Sequence, residues 1–243
     1  MSPSTSIGNR WKIIFYSTLF NFLFEYAVRG FNNILEIPIL FFGIIGIYFT
    51  YFILLEELIV RFRLKDYELF FIAFFYCLIG MVFNSGYLFL EPGPFQQNYL
   101  IFGVNYLVII FVCTFWWSEF QTVLTFYFAN RITPRDWDQP FLGRKGWILT
   151  LFVNGLLLSL FFLCGKIIYG TLEGYISMFI LWVVCGFICY KMLKNKDRNE
   201  QHIFESSKFL DIIMISTIIL SIFCATFLIN DPVVIGASHV NSL

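Results

Sequence analysis

Charge is scarce in this chain, and histidine scarcer still. Only 13% of its 243 residues are charged, against about 25% in an ordinary soluble domain. The two histidines, His202 and His239, are too few for a three-histidine zinc site. Both lie outside the apolar runs, so neither a bis-histidine haem nor a serine–histidine dyad can form within them. No lysine follows Lys208 in the last apolar run, which excludes a retinal-type Schiff base there. The net charge is zero, and no basic stretch interleaves with aromatics on a polar face, so nucleic acid is not an expected partner. The six cysteines (Cys77, Cys113, Cys164, Cys185, Cys189 and Cys224) sit inside apolar stretches without metal-ligand spacing. They read as small hydrophobes, and no metal is expected.

What the chain has instead is apolar length. Hydrophobic residues make up 59% of it, more than a chain of this size can bury away from water. Lipid is the solvent that tolerates such a composition. Runs of about 20 apolar residues predict seven membrane spans, near 11–28, 37–60, 67–90, 98–119, 147–168, 175–193 and 209–229. In hydrocarbon each must bond its own backbone, and the runs are continuously apolar rather than alternating, so helices are expected. Arg10 and Lys12 precede the first run as in a secretory signal. That run ends in Glu25-Tyr26-Ala27-Val28-Arg29, which is no small-x-small cleavage site, so it reads as the first span.

The basic residues give an independent test of the count. Seven spans place Arg10, Lys12, Arg61, Arg63, Lys65, Arg131, Arg135, Arg144, Lys145, Lys191, Lys194, Lys196, Arg198 and Lys208 on one side. Only Arg29 and Lys166 fall on the other. The fold class expected is therefore all-α: a compact bundle of about seven transmembrane helices, residues 1–243 as one transmembrane domain. Its N-terminus is cytoplasmic and its C-terminus extracytoplasmic, with the lipid bilayer of the plasma membrane as its partner. No cofactor, protein partner or oligomeric state follows from the sequence.

Two stretches look irregular. Asn84-Ser85-Gly86 interrupts the third run, and the fourth continues to about residue 130. As one straight helix, 98–130 would be about 50 Å long against about 30 Å of hydrocarbon. Either this stretch projects into the cytoplasm or it bends near Trp116-Trp117-Ser118-Glu119, where the tryptophans would sit in an interfacial aromatic belt.

Ionisable residues in or near spans are the candidates for function. Glu25 has Arg29 four residues on, Glu57 has Arg61, and Asp211 has Lys208 three before it, so local ion pairs are expected. Glu56 and Glu119 have no basic residue at helical spacing and must meet a partner from elsewhere, be protonated or touch water. With Glu57, Asp211, Arg61 and Arg63, and with Arg131, Arg135 and Lys208 nearby, they predict a polar vestibule at the cytoplasmic ends of the helices. The competing account is that span ends are always polar and long side chains reach for the interface. The amides Asn21, Asn84, Asn105 and Asn154, with Ser216 and Thr217, read as interhelical hydrogen-bonding groups. Gly43 and Gly46 read as sites of close helix packing.

Glu56-Glu57-Leu58-Ile59-Val60-Arg61 fits Glu-Glu-x-x-x-Arg and resembles the first motif of the CAAX-protease and bacteriocin-processing family. That family's glutamates work with later histidines in membrane helices. The resemblance covers six residues, and those histidines have no counterpart here.

Three functions fit these features. The first is a small transporter, channel or solute-binding protein in which Glu56 and Glu119 take a cation or proton. The second is a membrane-embedded enzyme on a lipid or lipid-linked substrate, with carboxylates as acid and base and arginines holding a headgroup. The third is a non-catalytic partner subunit or receptor. The topology can be tested directly. A reporter fused after Leu243 should behave as extracytoplasmic and one inserted within 194–208 as cytoplasmic; the reverse pattern would refute the seven-span reading.

Overall fold

The computed structural model describes residues 3–29, 38–84, 100–106, 109–133, 135, 140–163, 170–194 and three isolated positions, 212, 215 and 219. Among these the chain is almost wholly helical. Helix α1 is Pro3–Arg29, α2 is Pro38–Phe62 and α3 is Asp66–Asn84. A two-stranded hairpin follows, β1 Leu100–Ile101 and β2 Val104–Asn105. A π-helix, Ile109–Leu124, runs directly into α4, Thr125–Ile132. Helices α5, Arg144–Leu163, and α6, Leu172–Lys194, complete the described elements.

Local signals explain the ends of these helices. Pro38 opens α2 at a position where its missing N–H is no loss. Arg63, with φ 48°, ends it in the left-handed region. Leu64 N–H then reaches back to Ile59 O at 3.2 Å, the long bond of a Schellman stop, and both side chains are buried. Helix α3 begins with Glu68 accepting from the Lys65 N–H at 2.7 Å, half of a capping box. Thr171 starts α6, its hydroxyl accepting from Gly174 N–H at 3.1 Å.

Helix α2 is the centre of the packing. Helices α1 and α5 lie against it, α1 also packs on α4, and α3 packs on the π-helix, α5 and α6. Gly46 of α2 faces Leu157 of α5 so closely that a Cβ would lie 3.1 Å from Leu157 Cδ1. The close-packing expectation is met there. At Gly43 no atom of the described residues lies within 4 Å of such a Cβ.

Two helices, α2 over Phe41–Phe62 and α6 over Leu172–Lys194, are long and apolar enough to cross a membrane. They differ in setting: 67% of the first helix's apolar window is buried inside the protein, but only 11% of the second's. Phe179, Ile180, Val183 and Phe187 of α6 all stand more than half exposed, as do Ile148, Leu149 and Phe152 of α5. In water such continuous apolar faces mark association or aggregation; against lipid they are ordinary. Composition, helical architecture and these faces agree on a membrane protein.

Helices occupy the stretches expected as spans one to three, five and six, with ends that differ by up to eight residues, as at the start of α1. The seventh span, except its isolated described positions, lies outside the described residues, as does most of the Asn84-Ser85-Gly86 break beyond Asn84. The fourth expectation needs correction. Residues 100–105 form a hairpin, not the start of a helix, with Leu100 opposite Asn105 and Ile101 opposite Val104. Its turn residues Phe102 and Gly103 have φ 50° and 73°, the backbone of a type I′ turn. The break near Ser118 is likewise a change of helix type at Leu124–Thr125. Side chains record the change: Ser118 Oγ bonds Cys113 O and Thr122 Oγ1 bonds Trp117 O, five residues back, whereas Thr125 Oγ1 bonds Gln121 O, four back. Trp117 is not a belt residue. It donates to Tyr51 OH at 3.3 Å and packs against Tyr51 and Tyr76.

The hairpin turn docks on the start of α6. A Cβ on Gly103 would run into Thr171 Oγ1 and lie 3.0 Å from the Gly174 nitrogen, which is backbone and cannot step aside. Gly103→Ala should therefore cost more than about 1 kcal/mol, from the positive φ and the clash together. Thermal unfolding in detergent checks this; a midpoint equal to that of the unaltered protein would overturn the assigned turn.

Candidate functional site

The two carboxylates of the Glu56-Glu57 pair lie near the C-terminal end of α2, and both are fully buried. Charges so placed need partners, because desolvating an ion costs several kcal/mol even after relaxation. The partners come from three directions. Arg135, just beyond α4, clamps Glu56 with Nε at 3.0 Å from Oε1 and Nη2 at 2.6 Å from Oε2. Arg10 of α1 approaches from the other side, its Nε 3.3 Å from Glu56 Oε1 and its Nη2 3.3 Å from Glu57 Oε2. Arg61, one turn along α2, donates to Glu57 Oε1 at 2.9 Å.

Backbone groups take part as well. Phe141 N–H donates to Glu57 Oε2 at 3.1 Å, and Arg61 Nη2 donates to Leu142 O at 2.8 Å. The Arg10 guanidinium also lies over the Phe141 ring, 4.4 Å from its centroid. Three guanidiniums and two carboxylates thus join α1, α2, Arg135 and the residues leading into α5. Arg10 and the Arg135 side chain are 2% exposed, while Arg61 sits at the rim.

The sequence candidates divide on this geometry. Glu56, Glu57 and Arg61 come together, and the Glu57–Arg61 pair forms at the expected spacing. Glu56 finds its cross-helix partners, but these are Arg10 and Arg135. Arg63 instead occupies the left-handed position that ends α2. Glu119 lies on the π-helix, partly exposed, with no ion pair or hydrogen bond among the described residues; the expected convergence of Glu119 with Glu56 does not form. Asp211 lies outside the described residues. Glu25 is buried and accepts from Gln121 Nε2 of the π-helix at 3.2 Å; the side chain of Arg29, its expected partner, lies outside the described residues.

Arg10 is the member that sequence reasoning missed, having counted it only as a topology marker. A signal was available. Arg10, Ile13, Ile14 and Ser17 recur at helical spacing on the face of α1 that the structure buries.

A second, uncharged set of contacts lies deeper among the helices. Asn154 of α5 donates to Thr50 Oγ1 at 2.8 Å and Ile47 O at 3.2 Å, and accepts from Tyr76 OH at 2.9 Å. It ties α5 to α2 and α3, the role expected of a buried amide. Tyr51 OH and Thr122 Oγ1, 2.8 Å apart, join α2 to the π-helix.

The energetics of the two acids follow. Replacing one partner of a buried ion pair costs about 3–5 kcal/mol, because the other charge stays buried. Glu56→Gln should destabilise the protein on that scale, whereas Glu119→Gln should stay within about 0.5 kcal/mol. In a double-mutant cycle Glu56 and Arg135 should couple by about 1–3 kcal/mol. Thermal or denaturant unfolding in detergent reads all three. Equal effects of the two glutamine substitutions would contradict the network.

No protein-family model matches the sequence, and no solved structure matches it. Among curated proteins it is similar to NADH-ubiquinone oxidoreductase chain 5 of Ascaris suum, 26% identical over 135 residues. The match covers 49% of this chain and 23% of that protein, so the chain spans less than a quarter of its relative's length.

Proposed function

We propose that this chain is a seven-span protein of the plasma membrane, a single transmembrane domain over residues 1–243, that moves or binds a small solute. In this reading the network around Glu56 and Glu57 is the closure of its cytoplasmic side. The observation that carries the proposal is the full burial of both carboxylates on guanidiniums from separate parts of the chain. The division of basic residues supports a cytoplasmic position for Arg10, Arg61 and Arg135.

The geometry favours closure over a simple binding vestibule. Both oxygens of Glu56 already accept from guanidinium, so a cation or proton would have to displace an arginine. A closure works differently. Separating α1 from α2 breaks the bonds of Arg10 to Glu56 and Glu57 together, and water entering the gap rehydrates the freed charges. That repayment keeps two arrangements close in energy, as a two-state element requires. The reading as a lipid enzyme is less well served, since Arg61, a candidate for the headgroup, is engaged by Glu57 and Leu142.

A second reading is that of a partner subunit in a larger membrane assembly. The similarity to a chain of NADH-ubiquinone oxidoreductase favours it, as do the exposed apolar faces of α5 and α6. Reconstitution separates the two. Vesicles holding the purified chain should pass protons or alkali cations under a gradient, read with a pH- or potential-sensitive dye. Glu56→Gln, shown monodisperse by size exclusion, should leave a constitutive leak. Tight vesicles with both proteins, and a stable copurifying membrane protein from native extracts, would replace the transport reading with the subunit reading.

A further inference from the structure

The contacts fix which helix ends lie together. Arg61, at the network end of α2, donates to Leu142 O, and its guanidinium lies 5.9 Å from the Trp147 ring centroid, so α5 starts at that end. Helix α3 starts there too, because only residues 63–65 separate it from α2. Early in α3, Phe71 O accepts from Cys189 Sγ of α6 at 3.9 Å, and further along Phe75 faces Gly186. Helix α6 therefore runs opposite to α3 and finishes, with Lys191 and Lys194, beside the same end.

Folding sorts the charges at this end. Its described acids are buried, as Glu56, Glu57 and Glu68 are, or half-buried, as Asp66 is. Every described charged side chain that is exposed there is basic, Lys12, Arg144, Lys145, Lys191 and Lys194 among them. The whole chain is neutral, so composition gives no sign of this. The two lysines of α6 are also turned back along the helix. Lys191 Nζ lies 5.4 Å from the Phe187 ring centroid and Lys194 Nζ 5.8 Å from that of Tyr190, each ring four residues earlier. Neither lysine has a carboxylate partner among the described residues. Their charges thus stand beside exposed apolar surface instead of reaching away from it into water. Phe179, Ile180, Val183 and Phe187 continue that surface along α6. On α5, Arg144 and Lys145 likewise adjoin the exposed Ile148, Leu149 and Phe152.

We propose that Arg144, Lys145, Lys191 and Lys194 form a docking rim for anionic phospholipids of the leaflet at this end. Their headgroup phosphates pair with the cations, and their acyl chains lie along the exposed faces of α5 and α6. Two separate helices carry the same order, an uncovered apolar face that ends in exposed cations. An amphiphile with an anionic head and apolar tails matches that order. A nucleic acid or acidic peptide would use the cations and leave the apolar faces bare. Lipids dock side by side, so no single headgroup has to reach both helices. The rim shares no residue with the Glu56–Glu57 network, and its test is lipid binding and not flux, so it stands or falls apart from the transport reading.

The experiment titrates the full chain in nonionic detergent with phosphatidylglycerol or phosphatidylcholine and counts bound lipids by native mass spectrometry. Phosphatidylglycerol should be retained at a concentration lower by roughly fivefold or more, the factor that one basic residue near a membrane surface contributes. Raising salt from about 0.1 M to about 1 M shortens the Debye length from about 10 Å to about 3 Å and should remove most of that preference. The combined variant Arg144→Gln, Lys145→Gln, Lys191→Gln and Lys194→Gln should bind both lipids alike. The salt comparison uses the unaltered protein, so it decides even where the combined variant fails to fold. Equal retention of the two lipids by the unaltered protein would overturn the proposal. So would a preference that salt leaves unchanged, or a combined variant that keeps it. Displacement of phosphatidylglycerol by inorganic phosphate at equal concentration would also overturn it and make the rim a phosphate site.

Discussion

The structure depends on one requirement: two carboxylates on adjacent residues of the central helix are buried, and both must be neutralised where they stand. Glu56 and Glu57 point into different surroundings, as neighbours on a helix do, so no single arginine can serve both fully. Arg10 reaches across the pair, Arg135 clamps one acid and Arg61 the other. The result ties α1, α2, Arg135 and the residues entering α5 at one end of the helices. In lipid the hydrophobic effect does not hold helices together, since hydrocarbon is as apolar as leucine. Directional contacts of this kind must then select which helix lies beside which.

Away from that end the selection passes to packing and neutral hydrogen bonds. Asn154 chooses the register of α5 against α2 and α3, because its amide finds a hydroxyl, a carbonyl and a phenol at once. Gly46 lets α5 approach α2 closely, so dispersion contacts replace the missing hydrophobic drive. The π-helix supplies the remaining side, with Trp117 and Thr122 both bonded to Tyr51. Its side-chain hydroxyls bond five residues back rather than four, so the sequence register along it differs from that of an α-helix.

Local rules made part of this legible. Apolar run length located α2 and α6, and i,i+4 spacing identified the Glu57–Arg61 pair. The lack of a local base beside Glu56 called for a cross-helix partner, which exists. The identity of that partner was not legible, because Arg10 and Arg135 stand 46 and 79 residues away and nothing local points to them. For Glu119 the same rule left pairing, protonation and contact with water open, and spacing could not distinguish the partial exposure found there from pairing. Residues 100–105 read as an apolar run because Leu100, Ile101 and Val104 are apolar. The signal against a helix there was Gly103, and one glycine in a long apolar run is easily taken for a tolerated exception. The π-helix has no sequence signature at all, since apolar periodicity does not register a change from four-residue to five-residue hydrogen bonds when nearly every position is apolar.

The two polar clusters differ in a way that bears on what each can do. Around Glu56 and Glu57 the acceptor oxygens are occupied by donors from the protein itself. The carboxylates of this cluster are met without a ligand, and any visitor must first break bonds, so its natural part is to hold an arrangement or to yield as a unit. Along Ser17, Asn21 and Gln121 the balance differs: enclosed polar atoms there have no hydrogen bond among the described residues. A hydrophobic interior does not ordinarily tolerate such atoms, because apolar residues of the same shape would be cheaper to bury. Density of charge therefore points to the place where this chain is fastened. The polar atoms left over lie a few helical turns further along α1 and, across from it, on the π-helix.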